Sequence, residues 1–267
     1  MVKGDEPPVL RILRQRGLRV CQKEPAWRTI HHHLGTGEPV DRFNQLFQSY
    51  SYRIFLRDLI TFSDMIHPER FGPFIDRERI ETYMDFSLEL GLVKKVPGGT
   101  YSFSFKDITD IGDTFEYALS LILEDMGFDV TWGVKFEGIE SGGDFDIIGL
   151  ASGKLFYLEA KTSPPKHIEM SEMRNFLDRI TSLRPDFAIF INDTHLRMKD
   201  KLVPLMESDI EARSGLKLSM NRIEREIFGM EGFLYIMNTK RDIPGNIRVC
   251  VEDFFQSDWE KRYLFFT

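Results

Sequence analysis

Three short apolar runs close together in mid-chain constrain the fold more than any other feature of the sequence. Phe128, Val130, Trp132, Val134 and Phe136 alternate with polar or small residues, the period-two pattern of a strand with one buried face. Two further runs follow, Asp144-Phe145-Asp146-Ile147-Ile148-Gly149-Leu150 and, after Ala151-Ser152-Gly153-Lys154, Leu155-Phe156-Tyr157-Leu158-Glu159-Ala160-Lys161. The Gly/Ser/Glu stretch from Glu137 to Gly143 and the tight turn before Leu155 mark them as adjacent strands. Residues two apart share a strand face, so Glu159 and Lys161 point the same way while Ala160 points oppositely. Pairing of the last two strands brings Asp146 near the same edge.

An aspartate, a glutamate and a lysine at one end of otherwise apolar strands must be paired, solvated or holding a cation, because burying them alone is costly. A surface ion pair is the simplest account of Glu-X-Lys on a strand, so the surrounding elements have to decide. Upstream, Asp110 or Asp113 caps a helix whose stripe is Ile111, Phe115, Ala118, Leu119, Ile122, Leu123 and Met126. That helix carries Glu116 and stops at Gly127. Downstream, Thr162-Ser163-Pro164-Pro165 ends the strand. Then come a helix over 168–182, a buried strand from Phe187 to Ile191, a helix over 196–212, and late strands at Phe233 to Met237 and Ile247 to Val251. The sum is an α/β fold with a mixed central sheet flanked by helices.

This order of parts, closing in Glu159-Ala160-Lys161 after Gly143-Asp144-Phe145-Asp146-Ile147-Ile148, resembles the PD-(D/E)XK nuclease superfamily over residues 110–192. Restriction-type endonucleases and archaeal Holliday-junction resolvases belong to that superfamily. The resemblance implies a restriction endonuclease-like core in which Asp146 and Glu159 bind Mg²⁺ or Mn²⁺, with Glu116 assisting as a further metal and catalytic carboxylate. Lys161 would orient or activate the attacking water. Hard oxygen donors suit such ions, which otherwise keep several waters. Phe145 stands where the family has proline, and Asp144 shares a face with Asp146 by strand parity, although the family position aligns with Asp146. Lys166 and His167 follow as phosphate contacts or as a polar loop. The implied activity is metal-dependent hydrolysis of nucleic acid, with DNA favoured over RNA by family precedent. The rival is a nucleic-acid-binding, assembly or sensor protein that keeps the fold without turnover.

At 267 residues the chain exceeds one typical domain of about 100–200 residues. Residues 1–51 read as an N-terminal helical extension, 52–107 as a second module and 108–267 as the nuclease-like domain. In the extension, Val9, Leu10, Ile12 and Leu13 lie among arginines in a short basic helix that Gly17 ends. Its arginines suit phosphates, and its leucines suit packing. His31-His32-His33 point about 100° apart on a helix and cannot converge on one ion, so they read as surface residues. Helices over 54–66 and 76–90 followed by strands at 92–96 and 101–105 resemble a winged-helix domain. Asp76, Glu78, Glu81, Asp85 and Glu89 on its second helix would repel phosphates, which favours protein contacts or scaffolding there over a duplex. The nuclease resemblance separately implies a homodimer, or a protein partner through the N-terminal region.

Charge and cysteines limit the alternatives. The net charge of −7 argues against bulk electrostatic coating of nucleic acid. It is uneven: residues 1–107 hold 16 Lys/Arg against 14 Asp/Glu, and residues 108–267 hold 19 against 28. Cys21 and Cys250 are far apart and have no metal-ligand spacing. The first residues have no apolar signal core and no apolar run is long enough to span a bilayer, so a cytoplasmic protein without a membrane partner is expected.

Overall fold

The computed structural model describes residues 6–72, 75–139, 144–240 and 242–263, with side chains to 257. The chain divides into two units, Met1–Glu24 with Leu119–Thr267, and Pro25–Ala118. Helix α1 (Pro8–Gln15) and strand β1 (Val20–Lys23) open the first unit. The second contains α2 (Ile30–Leu34), α3 (Glu38–Phe47), α4 (Tyr50–Phe62), α5 (Arg77–Glu89), β2 (Val93–Val96) and β3 (Thr100–Phe103). The division falls inside α6 (Gly112–Asp125). The first unit then resumes with β4 (Asp129–Phe136), β5 (Phe145–Ala151), β6 (Lys154–Lys161), α7 (Met170–Leu183), β7 (Phe187–Asn192), α8 (Leu202–Ser214), β8 (Asn221–Glu224), β9 (Ile227–Met230), β10 (Leu234–Asn238) and α9 (Ile243–Tyr263).

Among the described residues the first unit forms one mixed sheet in the order β1-β4-β5-β6-β7-β10-β9-β8. The pairs β4–β5 and β5–β6 are antiparallel, whereas β6–β7 and β7–β10 are parallel. Ser152 and Gly153, both at positive φ (48° and 79°), make the two-residue turn of the β5–β6 hairpin. Such a turn matches the natural twist of paired strands, and glycine adopts that φ without steric penalty. One sheet face packs Tyr157, Ala188, Phe190 and Ile236 against Val9 and Leu13 of α1, Met173, Phe176 and Ile180 of α7, and Leu202 and Met206 of α8. Each such side chain contributes roughly 1.5–3 kcal/mol by burial. On the other face α9 stacks Phe254 on Phe187 at 4.5 Å, and Tyr235 donates to Asp253 at 2.9 Å. This is the mixed sheet flanked by helices that the apolar runs imply.

Two local expectations change. Ile247 to Val251 is helical rather than a strand: Ile243, Ile247, Cys250 and Phe254 are buried at helical spacing along α9. The basic helix ends before Gly17, and Val20 to Lys23 pair antiparallel with β4. Strand pairing there and the packing of Val9 and Leu13 place α1 and β1 with the sheet, against the expectation of one separate extension over 1–51. The turn proposed at 137–143 lies outside the described residues from 140 onward.

In the second unit the helix, helix, hairpin order is present as α4, α5, β2 and β3, with β2 and β3 antiparallel. His31 corrects the reading of a surface histidine triplet, because it is 3% exposed and packs edge-on against Phe43 and Tyr117, each at 5.0 Å. Its Nε2 donates to Asn44 Oδ1 at 2.7 Å. Alternation around a one-turn helix buries the first histidine while His32 stays exposed.

Burial lowers the His31 pKa to about 4, against a smaller opposing effect of the Asn44 hydrogen bond. The folded state therefore disfavours the imidazolium, and the unfolded chain takes up more protons between pH 6.5 and about 4. Stability from the neutral ring is complete above 6.5 and declines by about 3 kcal/mol as pH falls to about 4. Urea unfolding at pH 7.5 and pH 4.5 should show a smaller pH-induced loss for His31→Gln than for the unaltered chain; equal losses would contradict this.

Candidate active site

The hairpin β5–β6 positions the acidic residues. Ile147 faces Leu158 in the register, which places Asp146 and Glu159 side by side one step along. The Ala160 backbone N–H donates to Asp146 Oδ2 at 2.7 Å. Lys161 Nζ lies 2.6 Å from Glu159 Oε1. Asp146, Glu159 and Lys161 thus converge, with the two acids 4% and 1% exposed on strands whose neighbouring buried residues are mainly apolar. Asp144 sits just before β5 and is half-buried.

Two further side chains complete the cluster. Arg179, on α7, donates from Nη1 to Glu159 Oε1 at 2.9 Å and Oε2 at 2.7 Å. The Tyr157 hydroxyl also donates to Glu159 Oε2. Arg179 Nη1 in turn reaches the Tyr157 oxygen at 3.4 Å, and its guanidinium lies 6.0 Å from the Phe145 ring centroid. Beyond Lys161 the chain is tied to β7: Asn192 Nδ2 donates to the carbonyls of Lys161 at 2.9 Å and Ser163 at 2.8 Å.

The electrostatics separate the two acids. Burial, and then the negative charge of Glu159, push the Asp146 carboxyl above its ordinary range; Lys161, the Ala160 N–H and Arg179 oppose this without cancelling it. Burial acts on Glu159 in the same direction, but Lys161 and Arg179 outweigh it and hold that carboxyl below its ordinary value. Burial would weaken the Lys161 ammonium, yet Asp146 and Glu159 raise it instead. Glu159 is therefore the charged centre of the cluster, and Asp146 is a carboxyl whose affinity for a proton is raised.

That donor set suits Mg²⁺ or Mn²⁺, which bind through one or two carboxylates and otherwise retain water. It is small. Among the described residues no group of three or more His, Cys, Asp and Glu side chains could hold a metal ion. Glu116, expected as the third carboxylate, lies half-buried on the part of α6 that belongs to the other unit. Lys166 and His167 are exposed in a short turn after β6.

Tyr157, Arg179 and Asn192 were not among the expected site residues. Tyr157 shares strand parity with Glu159 and Lys161, which was a usable signal. Arg179 interrupts the apolar stripe Met173, Phe176, Leu177, Ile180 and Leu183 of α7, and a cation within such a stripe marks a buried acid on the facing element. Asn192 ends the apolar run of β7.

No family model and no curated protein sequence matches the chain. Two solved structures align with it. One is protein VC1899 from Vibrio cholerae, at 13% identity and TM-score 0.48, covering 95% of this chain and 61% of that one. The other is Can2 from Sulfobacillus thermosulfidooxidans in complex with cyclic tetra-adenylate, at 15% identity and TM-score 0.49, covering 94% and 62%. The chain thus spans about three fifths of either structure's length. Neither likeness bears on the chemistry of Asp146, Glu159 and Lys161. Among the described residues no helix is long and apolar enough to cross a membrane.

The charge distribution predicts unequal roles in the stability of the metal-free chain. Glu159→Gln removes the shared partner of two buried cations and should destabilise by about 3–5 kcal/mol. Asp146→Asn keeps an acceptor for the Ala160 N–H and removes a poorly compensated charge, so it should cost less than about 1 kcal/mol. Denaturant unfolding in EDTA measures both, and a larger loss for Asp146→Asn than for Glu159→Gln would refute the assignment.

Proposed function

We propose that the chain is a metal-dependent phosphodiesterase acting on nucleic acid, with DNA favoured over RNA, and that its core is of the PD-(D/E)XK type. The observation that carries this reading is the convergence of Asp146, Glu159 and Lys161 on one edge of paired strands, with both acids buried. A Mg²⁺ or Mn²⁺ ion held by Asp146 and Glu159 would supply Lewis-acid activation of water and neutralise charge on the scissile phosphate. Ala160 fixes one oxygen of Asp146 through its backbone N–H. The Lys161 ammonium, 23% exposed at the end of β6, is the group able to meet a phosphoryl oxygen. Glu116 enters this proposal as an accessory carboxylate only.

One observation favours a second reading. Both Glu159 oxygens are already occupied by Lys161, Arg179 and Tyr157, as they would be in a protein that retains the fold for binding, assembly or sensing without turnover. Cleavage assays separate the two. Plasmid DNA and single-stranded RNA incubated with Mg²⁺, with Mn²⁺ and with EDTA should be cut only when a metal is present. Lys161→Ala should lower kcat by roughly 10²–10³-fold, the effect of losing one stabiliser of developing charge. Cleavage that persists in EDTA, or is unchanged in Lys161→Ala, would sink the nuclease reading.

A further inference from the structure

We propose that Arg179 is a positioning residue for this site: it holds Glu159 paired and oriented so that Lys161 can leave it for a phosphate. The phosphate half of this rests on the nuclease reading. The holding half rests on the contacts alone.

Glu159 is met directly by two cations, Lys161 and Arg179, which also face the carboxyl of Asp146. These cations are differently placed. The Arg179 side chain is 8% exposed, touches both carboxylate oxygens, and comes from a helix anchored by Met173, Phe176, Leu177 and Ile180 in the core. Moving it would mean opening α7. Its guanidinium also stays protonated under all relevant conditions, so its charge is constant. Lys161 is 23% exposed, reaches a single oxygen of Glu159, and stands where β6 ends. Its flexible stem can swing outward while Asn192 keeps its backbone in place.

The difference matters because a buried carboxylate stripped of every cation is strongly unfavourable. In the metal-free chain without Arg179, departure of Lys161 would leave Glu159 with the Tyr157 hydroxyl as its remaining named partner, which favours keeping the lysine in a structural ion pair. With Arg179 in place, Glu159 stays paired and keeps the Tyr157 hydroxyl on Oε2. The helix cation therefore does the structural work that would otherwise tie up the strand cation.

Two measurements test this. In steady-state cleavage of DNA with Mg²⁺, Arg179→Met should lower kcat by about 10²-fold with KM within about twofold, as expected for a misplaced reacting group. Arg179→Lys should restore much of that loss, and Tyr157→Phe should show a smaller drop of the same kind. In metal-free protein, Arg179→Met should lower Tm markedly in the unaltered background and far less in a Glu159→Gln background. A KM increase at constant kcat would make Arg179 a substrate contact and overturn the proposal. Equal Tm losses in both backgrounds would overturn it too, because Arg179 would then not act through Glu159. Should Arg179→Met fail to fold, unchanged kcat in both Arg179→Lys and Tyr157→Phe would overturn it, and reduced kcat at constant KM would support it. If the unaltered chain cuts neither DNA nor RNA, the nuclease reading falls, and the Tm comparison still decides whether Arg179 holds Glu159.

Discussion

The pairing of Glu159 with Arg179 is the interaction on which the centre of the sheet depends. An ionised carboxylate at 1% exposure faces a desolvation cost of several kcal/mol, and only well-placed partners offset it. Arg179 supplies them from α7, Lys161 from the same strand and Tyr157 from two residues upstream. The requirement propagates outward. Helix α7 must lie against β6 with Arg179 facing it, which fixes the crossover that returns the chain to β7. That crossover makes β6 and β7 parallel and sets Lys161 beside Asn192.

The change from antiparallel to parallel pairing also explains why the polar groups gather where they do. Strands β4, β5 and β6 run antiparallel, so successive strands end at opposite edges of the sheet. Parallel β6, β7 and β10 all end at one edge, where polar residues replace the apolar runs: Lys161, then Asn192 with Asp193, then Asn238 with Thr239. Hydrogen bonds knit this edge, including Thr239 to Asp193 at 2.7 Å. Open α/β sheets place their chemistry outside the carboxyl ends of parallel strands for this reason, since backbone and side-chain polar groups converge there without disturbing the core.

Much of this was legible in the sequence where a period was strong. The alternation from Phe128 to Phe136 and the two apolar runs after it define β4, β5 and β6, and strand parity alone aligns Glu159 with Lys161. Weak periods misled. Ile247 to Val251 is β-branched and short enough to pass for a strand, and only the wider spacing from Ile243 to Phe254 reveals the helix. Val20 to Lys23 carries no buried face, so its strand character comes wholly from pairing with β4, a long-range effect that local pattern does not contain. His31 was misread because three identical residues invite one reading, whereas a helix sends them to three environments. Arg179 was missed because apolar stripes are scanned for what they contain rather than for what interrupts them.

A cluster of buried charges could exist only to support the fold, and the balance of charges argues against that here. Asp146 and Glu159 set two carboxyls against the two cations Lys161 and Arg179, so the balance turns on the state of Asp146. Replacing such a group with well-packed apolar residues is often neutral or stabilising, so stability alone gives little reason to retain it. Asp146 makes the structural account harder still. It is buried, it repels Glu159, and its carboxyl is driven upward rather than settled by its neighbours. One backbone N–H does not explain its presence in a strand that is otherwise Phe145, Ile147 and Ile148. Under the nuclease proposal, Asp146 is the acid that a bound cation would compensate. On the same proposal Arg179 keeps Glu159 paired, and the two acids with Lys161 are the groups that would meet a phosphate and its counter-ion.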